Sequence, residues 1–460
     1  MSQEQVKQNK MGTMPINKLL LSMALPMMAS MLVQALYNIV DTIFVAQLGE
    51  DAISALSYAF PVQNFMIAIG SGTGVGINAY LSRSLGEHNI NQANKVAKNG
   101  LFLCAISSLV FVIFGLFFSE IYMKTQTQND TIIQYGADYL SVCTIFAVCL
   151  FGQMTFERLL QSTGKTFYTM ITQGLGAIIN IILDPILIFG WFGFPELGVK
   201  GAALATIIGQ ACALIIALFF NLKKNKELSI NFKKFKPSVS TIKTIYSVGI
   251  PSILMMSIAS VMLFFMNKIL GGFSETSVAV LGVYFKLQSF IFMPVFGLNN
   301  GMIPIVAYNY GAANRKRITK TIKLAIVYAV SIMIIGFIIF QTCPTLLLKL
   351  FESTPEMDAI GETALRTISL SFIPAGFCII LVSVFQAFGK GFISLLISVI
   401  RQLAVLLPAA YLLSLICVGN DVSPIWFSFP IAEISSVILC IIFIRKIYNT
   451  IIKPLDNVKN

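Results

Sequence analysis

Twelve apolar stretches, each long enough to cross a bilayer, recur along this chain and constrain its fold more than any other feature. They lie near 19–45, 52–81, 100–119, 134–156, 167–192 and 199–222, then near 245–270, 278–307, 322–343, 362–388, 392–418 and 424–444. A bilayer core takes about 20 apolar residues in a helix. Inside it every backbone N–H and C=O must be satisfied within the segment or its neighbours, which helices do. The expected class is an all-α polytopic membrane protein with about 12 transmembrane helices. Composition agrees: 56% of the 460 residues are hydrophobic and 11% are charged, against roughly 25% charged in soluble chains. One globular core cannot hide that apolar excess. The first stretch, Leu19 to Val45, is too long for a signal-peptide core and follows a polar segment, so it reads as an uncleaved first span.

Charge placement orients the spans. An even number puts both termini on one side, and the basic residues name it as the cytoplasm. Of 32 Lys and Arg, only Lys124, Lys200, Lys268, Lys286, Lys349 and Arg366 fall in the outer half. The central loop alone carries Lys223, Lys224, Lys226, Lys233, Lys234 and Lys236. Acids such as Glu50, Asp51, Glu196, Glu275, Glu352 and Asp421 fall outside. This is the positive-inside pattern. The net charge of +12 is therefore a topology signal with some attraction to anionic headgroups, and no nucleic-acid partner is expected.

A shift of 225 positions superposes the chain on itself without a gap. Pro26 then meets Pro251, Gln63 meets Gln288, Gly76 meets Gly301, Asn89 meets Asn314, Gly136 meets Gly361, and Gly164-Lys165 meet Gly389-Lys390. Chance identity in an apolar sequence would not keep Gly, Pro, Gln and Asn in one register over five spans. The expected organisation is a duplication: an N-terminal six-helix lobe at 1–225, a lysine-rich cytoplasmic linker at 226–239, a C-terminal lobe at 240–447 and a cytoplasmic tail at 448–460. An even number of spans per repeat inserts both lobes the same way up, as two pseudo-symmetric halves about a central cavity. That arrangement serves alternating access, by rocking of one lobe against the other.

Carboxylates inside spans are expensive and point to function. Asp41 in span 1, Asp184 in span 5 and Glu433 in span 12 qualify. Asn180 is one turn from Asp184 on the same helix face, and Thr206 lies at comparable depth in span 6. Asp41, Asn180, Asp184 and Thr206 thus gather in the outer half of the N-terminal lobe. Two acids, an amide and a hydroxyl suit a hard monovalent cation or a shared proton, and crowded acids cannot both ionise cheaply. The competing reading, helix-end acids facing water, requires neither function nor burial. Pro26 stands fifteen residues before Asp41, about 22 Å along the helix, and an interior proline permits bending there; static curvature is the alternative.

The second half has no acid at the matching places, since Asp41 falls on Met266 or Asn267 and Asp184 near Pro408-Ala409. Arg401 and Glu433 are buried charges that the simplest account pairs as a structural ion pair. Lys286 either snorkels outward or lines the cavity. The 19 Met and 37 Phe would give an adaptable apolar wall. Eight cysteines fall singly in apolar runs, with no CxxC, and read as small buried hydrophobes; His88 is the single histidine. No catalytic residue, resident metal or cofactor is expected.

At these residues the chain resembles the multidrug and toxin extrusion (MATE) family, and most of all its MepA-like bacterial exporters. The segments that carry the likeness are Ala24-Leu25-Pro26 and Gln34-Ala35-Leu36-Tyr37-Asn38-Ile39-Val40-Asp41-Thr42 in span 1. Gln161-Ser162-Thr163-Gly164-Lys165, Asn180-Ile181-Ile182-Leu183-Asp184-Pro185 and Gly201-Ala202-Ala203-Leu204-Ala205-Thr206 follow, and Arg401-Gln402 and Ala432-Glu433 extend it through the second half. The resemblance implies a secondary antiporter, not an enzyme, in a bacterial plasma membrane. It would extrude amphipathic, often cationic drugs in exchange for inward H⁺ or Na⁺, and so confer antibiotic resistance. It also implies that Asp41, Asn180, Asp184 and Thr206 form the cation site, that Pro26 bends span 1, and that Gln34 and Tyr37 face the drug cavity. A monomer is expected. The alternatives are a lipid-linked saccharide flippase, for which basic cavity residues are few, and a polytopic membrane enzyme, for which no acidic or His cluster exists.

Overall fold

A computed structural model describes residues 9–233, 235–351, 353–419 and 421–458. Lys234 and Glu352, used above in the charge pattern, lie outside the described residues, as do the first eight residues and the last two of the tail. Span 1 is Ile16–Ala46, span 2 Glu50–Gly86, span 3 Ile90–Phe117, span 5 Thr166–Phe189 and span 6 Gly198–Lys224. Their counterparts are span 7 Val239–Gly271, span 8 Glu275–Gly311, span 9 Arg315–Thr342, span 11 Gly391–Ser414 and span 12 Ser423–Leu455. Spans 4 and 10 are bent pairs. Asp130–Ile145 meets Ala147–Ser162 at 46°, and Pro355–Ser369 meets Phe372–Ala387 at 49°. Among the described residues, ten single spans and two bent pairs make a multi-pass, all-helical membrane protein. The helices overrun the apolar stretches at their polar ends, because a helix continues past the bilayer edge wherever its residues permit.

The repeat seen in the sequence is also a repeat of backbone conformations. Both bends fall at the same register, at Phe146 and at Leu370-Ser371. At each a hydroxyl donates back along its helix, Thr144 Oγ1 to Leu140 O and Ser371 Oγ to Ile368 O, a habit that bends helices, and at the second Pro374 also leaves the Leu370 carbonyl without its helical donor. Span 3 starts with Asn89 accepting from Gln92 N, and span 9 with Asn314 accepting from Arg317 N, each satisfying one of the donors left open at a helix start. The residue before each cap, His88 or Ala313, is left-handed at φ 56° and 50°, and the turn before span 5 or span 11 uses Gly164 or Gly389 at φ 81° and 75°. Glycine adopts that region without steric cost.

The described chain divides into two compact units, Ala29–Ile250 and Met1–Met28 with Pro251–Asn460. The divisions fall inside spans 1 and 7, close to Pro26 and Pro251, so each unit borrows the first part of the other repeat's leading helix. Glycines permit this. In the unit 29–250, a Cβ on Gly76 would strike Ile245 O, and one on Gly249 would lie 3.3 Å from Gly72 O. In the other unit, a Cβ on Gly301 would sit 2.8 Å from Ala24 Cα, and one on Gly297 2.5 Å from Met28 Cα. Span 2 thus packs backbone to backbone on the start of span 7, and span 8 on the start of span 1. The segment 226–239 is anchored to span 3 through Ser229 N and Ser238 N, which donate to Asn94 Oδ1 and Asn99 Oδ1 at 2.7 and 2.9 Å. After Ile447 the chain stays helical as a π turn and then a 3₁₀ turn.

Candidate cation site

Spans 5 and 6 run antiparallel with almost nothing between them. A Cβ on Gly201 would collide with Leu187 O, and one on Gly209 would lie 2.7 Å from Gly176 O. Small residues let two helix backbones approach this closely in lipid. The polar side chains flanking the glycines are therefore pushed into contact. Asn180 Nδ2 donates to Asp184 Oδ1 at 3.2 Å, one turn along span 5, and to Thr206 Oγ1 of span 6 at 3.4 Å. Asp184 is fully buried and Asn180 nearly so.

Asp41 comes to the same place from span 1. It lies within electrostatic range of Asp184, and Tyr37, one turn before Asp41, lies within range of both acids. Three oxygens here, Asp41 Oδ1, Asn180 Oδ1 and Asp184 Oδ2, are buried and have no hydrogen-bond partner. Buried acceptors are nearly always satisfied, so three together leave room for a cation or a proton. The donor set is all oxygen, which suits a hard ion. Pro185, directly after Asp184, lies within span 5 and cannot donate to the helix. Pro26 sits inside span 1, whose helix runs through it. Gln34, two turns before Asp41 on span 1, is exposed.

The sequence reading missed the support of this site by span 4. Gln63 Nε2 of span 2 donates to Tyr139 OH at 2.9 Å and contacts Cys143 Sγ at 3.6 Å, and both of those residues lie within electrostatic range of Asp41. A second omission is Glu157. The apolar stretch stops at residue 156, which puts Glu157 in a loop, whereas the helix continues to Ser162 and buries the acid at 3% exposure. Helix-compatible residues continuing past the stretch were the available signal.

The unit holding residues 251–460 is built differently. Arg401 Nη1 donates to Glu433 Oε1 at 2.8 Å, from a π-helical stretch at Ile400–Leu406 that ends just before Pro408. Such wide turns recur at functional places in helices. Glu433 Oε2 is buried without a partner. Lys286 is exposed and its Nζ lies 5.9 Å over the Phe351 ring, so it reaches toward the segment joining spans 9 and 10. The cysteines are all free; Cys143, Cys149, Cys378 and Cys440 are buried, but Cys343, at the end of span 9, is exposed, because its helix ends there.

A duplicated bundle of membrane-spanning helices with unpartnered oxygens buried inside its spans is the architecture expected of a membrane transporter. The sequence profile of the MatE family matches residues 26–186 and again 251–412, in the register of the repeat, and the chain belongs to that family of transporters. It is similar to the multidrug export protein MepA of Staphylococcus haemolyticus, 29% identical over 87% of each chain. It is 27% identical to an FAD transporter of Shewanella oneidensis, over 94% of this chain and 95% of that one. A solved outward-facing multidrug resistance MATE family transporter of the MOP superfamily superposes with a TM-score of 0.91, at 25% identity, over 99% of this chain and 100% of that one.

Proposed function

We propose that the protein is a multidrug exporter of a bacterial plasma membrane, with both termini in the cytoplasm, acting as a monomer. It exchanges amphipathic, often cationic compounds for inward H⁺ or Na⁺ by alternating access, the ion loading at Asp41, Asn180, Asp184 and Thr206. The observation that carries this reading is the trio of unpartnered oxygens on Asp41, Asn180 and Asp184, buried together. A cation or proton there removes the cost of two acids crowded in a low dielectric, and so links ion occupancy to the shape of spans 1, 5 and 6. Gln34 and Tyr37 continue the same face of span 1 and serve as drug contacts. No resident cofactor takes part.

A lipid-linked saccharide flippase would line its cavity with several basic residues. Arg401 is paired with Glu433, and Lys286 lies over Phe351, which favours the exporter. The test is ethidium flux in proteoliposomes, with Na⁺ and pH gradients imposed separately and with FAD as a competing cargo. Flux driven by one of the two gradients and indifferent to FAD is expected. Flux that ignores both gradients, or that carries FAD in preference, would overturn the proposal.

A further inference from the structure

Glu157 has no part in the site above. It lies on the inner arm of span 4, five residues before that helix ends at Ser162. Both carboxylate oxygens are held by neutral donors. Gln153 Nε2 and Thr172 Oγ1 donate to Oε1 at 3.1 and 2.9 Å, and Gln173 Nε2 donates to Oε2 at 2.7 Å. A carboxylate buried without a hydrogen-bonded cation is costly, and here three neutral donors engage both of its oxygens.

The charged groups around it do not neutralise it by contact. Arg158, its neighbour on the helix, acts on it electrostatically while its Nη1 donates to Gln161 Oε1 at 2.8 Å. Of the helices packed on this arm, span 2 brings Arg83, paired with Glu87, and span 5 is preceded by Lys165, paired with Glu227. Span 3 brings Lys95 and Lys98 and span 6 brings Lys223 and Lys224, near the cytoplasmic ends of their helices. The outer arm of span 4 carries Asp138 and Tyr139, which lie toward the opposite face.

A second observation points to a ligand. Gln173 Oε1 and Gln210 Oε1 are buried with no partner. The two ends of a glutamine amide exchange by rotation. With Gln173 turned, its oxygen accepts the O–H of a neutral Glu157; unturned, its NH₂ serves the anion. The environment therefore accommodates either protonation state. The acid's Thr172 donor and the outer site share one face of span 5. Thr172, Gly176, Asn180 and Asp184 are spaced by four on one face of span 5, with Thr172 on Glu157 and Asp184 about 18 Å further out. On span 6, Gln210 is one turn inward of Thr206.

We propose that Glu157 is a second proton-binding site of the unit 29–250, inward of Asp184. The reversible step is addition of one proton to the carboxylate, with Gln173 exchanging its amide hydrogen for its oxygen. A role in proton-driven efflux rests on the function proposed above; the titration of Glu157 does not.

The test is infrared difference spectroscopy of the full chain in lipid nanodiscs, between acid and alkaline pH. An Asp41→Asn/Asp184→Asn background leaves Glu157 as the buried titrating acid outside the Arg401–Glu433 pair. A protonated-carboxyl band is expected there and is lost on adding Glu157→Gln. Thr172→Val, which keeps the acid but removes one donor, should retain the band and shift its frequency. Persistence of the whole band in folded Glu157→Gln protein, absence of any titrating band, or no shift in Thr172→Val would each overturn the site. If the band behaves as expected while drug flux ignores a pH gradient, proton-driven efflux fails and the site stands.

Discussion

Arg401 donates to Glu433 across 2.8 Å, between spans 11 and 12, the repeat partners of the spans that bring Asn180 to Thr206 in the first half. One helix pair thus serves two ends: in the unit 29–250 it leaves buried oxygens open, and in the other it engages one oxygen of a carboxylate with the protein's own guanidinium.

That closure predicts a particular pattern in a double-mutant cycle. Arg401→Met or Glu433→Gln alone should lower stability by about 3–5 kcal/mol, because each strands a buried charge or its partner. The double variant should be milder than the sum. Thermal unfolding of purified protein at matched lipid content checks this, and additive losses would detach Glu433 from a structural role.

The close approach of spans 5 and 6 predicts that Gly209→Val is damaging, through Gly176 and through Asn180, whose Cβ would lie 3.2 Å from the new one. The new side chain meets the Gly176 carbonyl at about the position where a Cβ would stand, 2.7 Å away, and backbone cannot step aside as a side chain can. A loss of about 1–3 kcal/mol is expected from overpacking, together with loss of ion-driven flux as Asn180 and Thr206 separate. Gly174→Val, where a Cβ would meet nothing within 4 Å, is the control and should keep most of its activity.

The sequence carried the span count, the register of the repeat and the approach of Asn180, Asp184 and Thr206, because each depends on local facts: apolar length, turn residues in register, and polar atoms at helical spacing. It could not carry the bend at Phe146, since no proline stands there and a hydroxyl back-bonding to its own helix has no sequence mark; the bend at Leu370-Ser371 had one in Pro374, which cannot donate to the Leu370 carbonyl. The exchange of leading half-helices between spans 1 and 7 was equally hidden. Gly76 and Gly301 were legible as repeat landmarks, but the backbone each one meets is known only from tertiary packing. Glu157 was lost to a boundary error of a few residues.

Pro26 and Pro251 lie at one register, yet only the helix containing Pro26 goes on to reach an acid of the open site. If ion loading at Asp41 is read out by bending of span 1, Pro26→Ala restores an N–H and favours the straight helix. Stability should hold or rise, while efflux falls because a two-state element biased by a few kcal/mol rarely visits its minor state. Pro251→Ala should lose less. Efflux rate beside thermal stability, at equal expression, decides it; full activity in both variants would make Pro26 a fixed bend.

The central claim is that Asp41 and Asp184 load the driving ion. Its most direct measurement is drug flux in proteoliposomes containing Asp41→Asn or Asp184→Asn protein, with and without the driving gradient, alongside equilibrium drug binding. Each substitution keeps side-chain shape and removes a charge. Gradient-driven flux should fall to the level of empty liposomes in both variants, while drug binding to the folded protein persists. Wild-type gradient-driven flux in either folded variant would contradict the account.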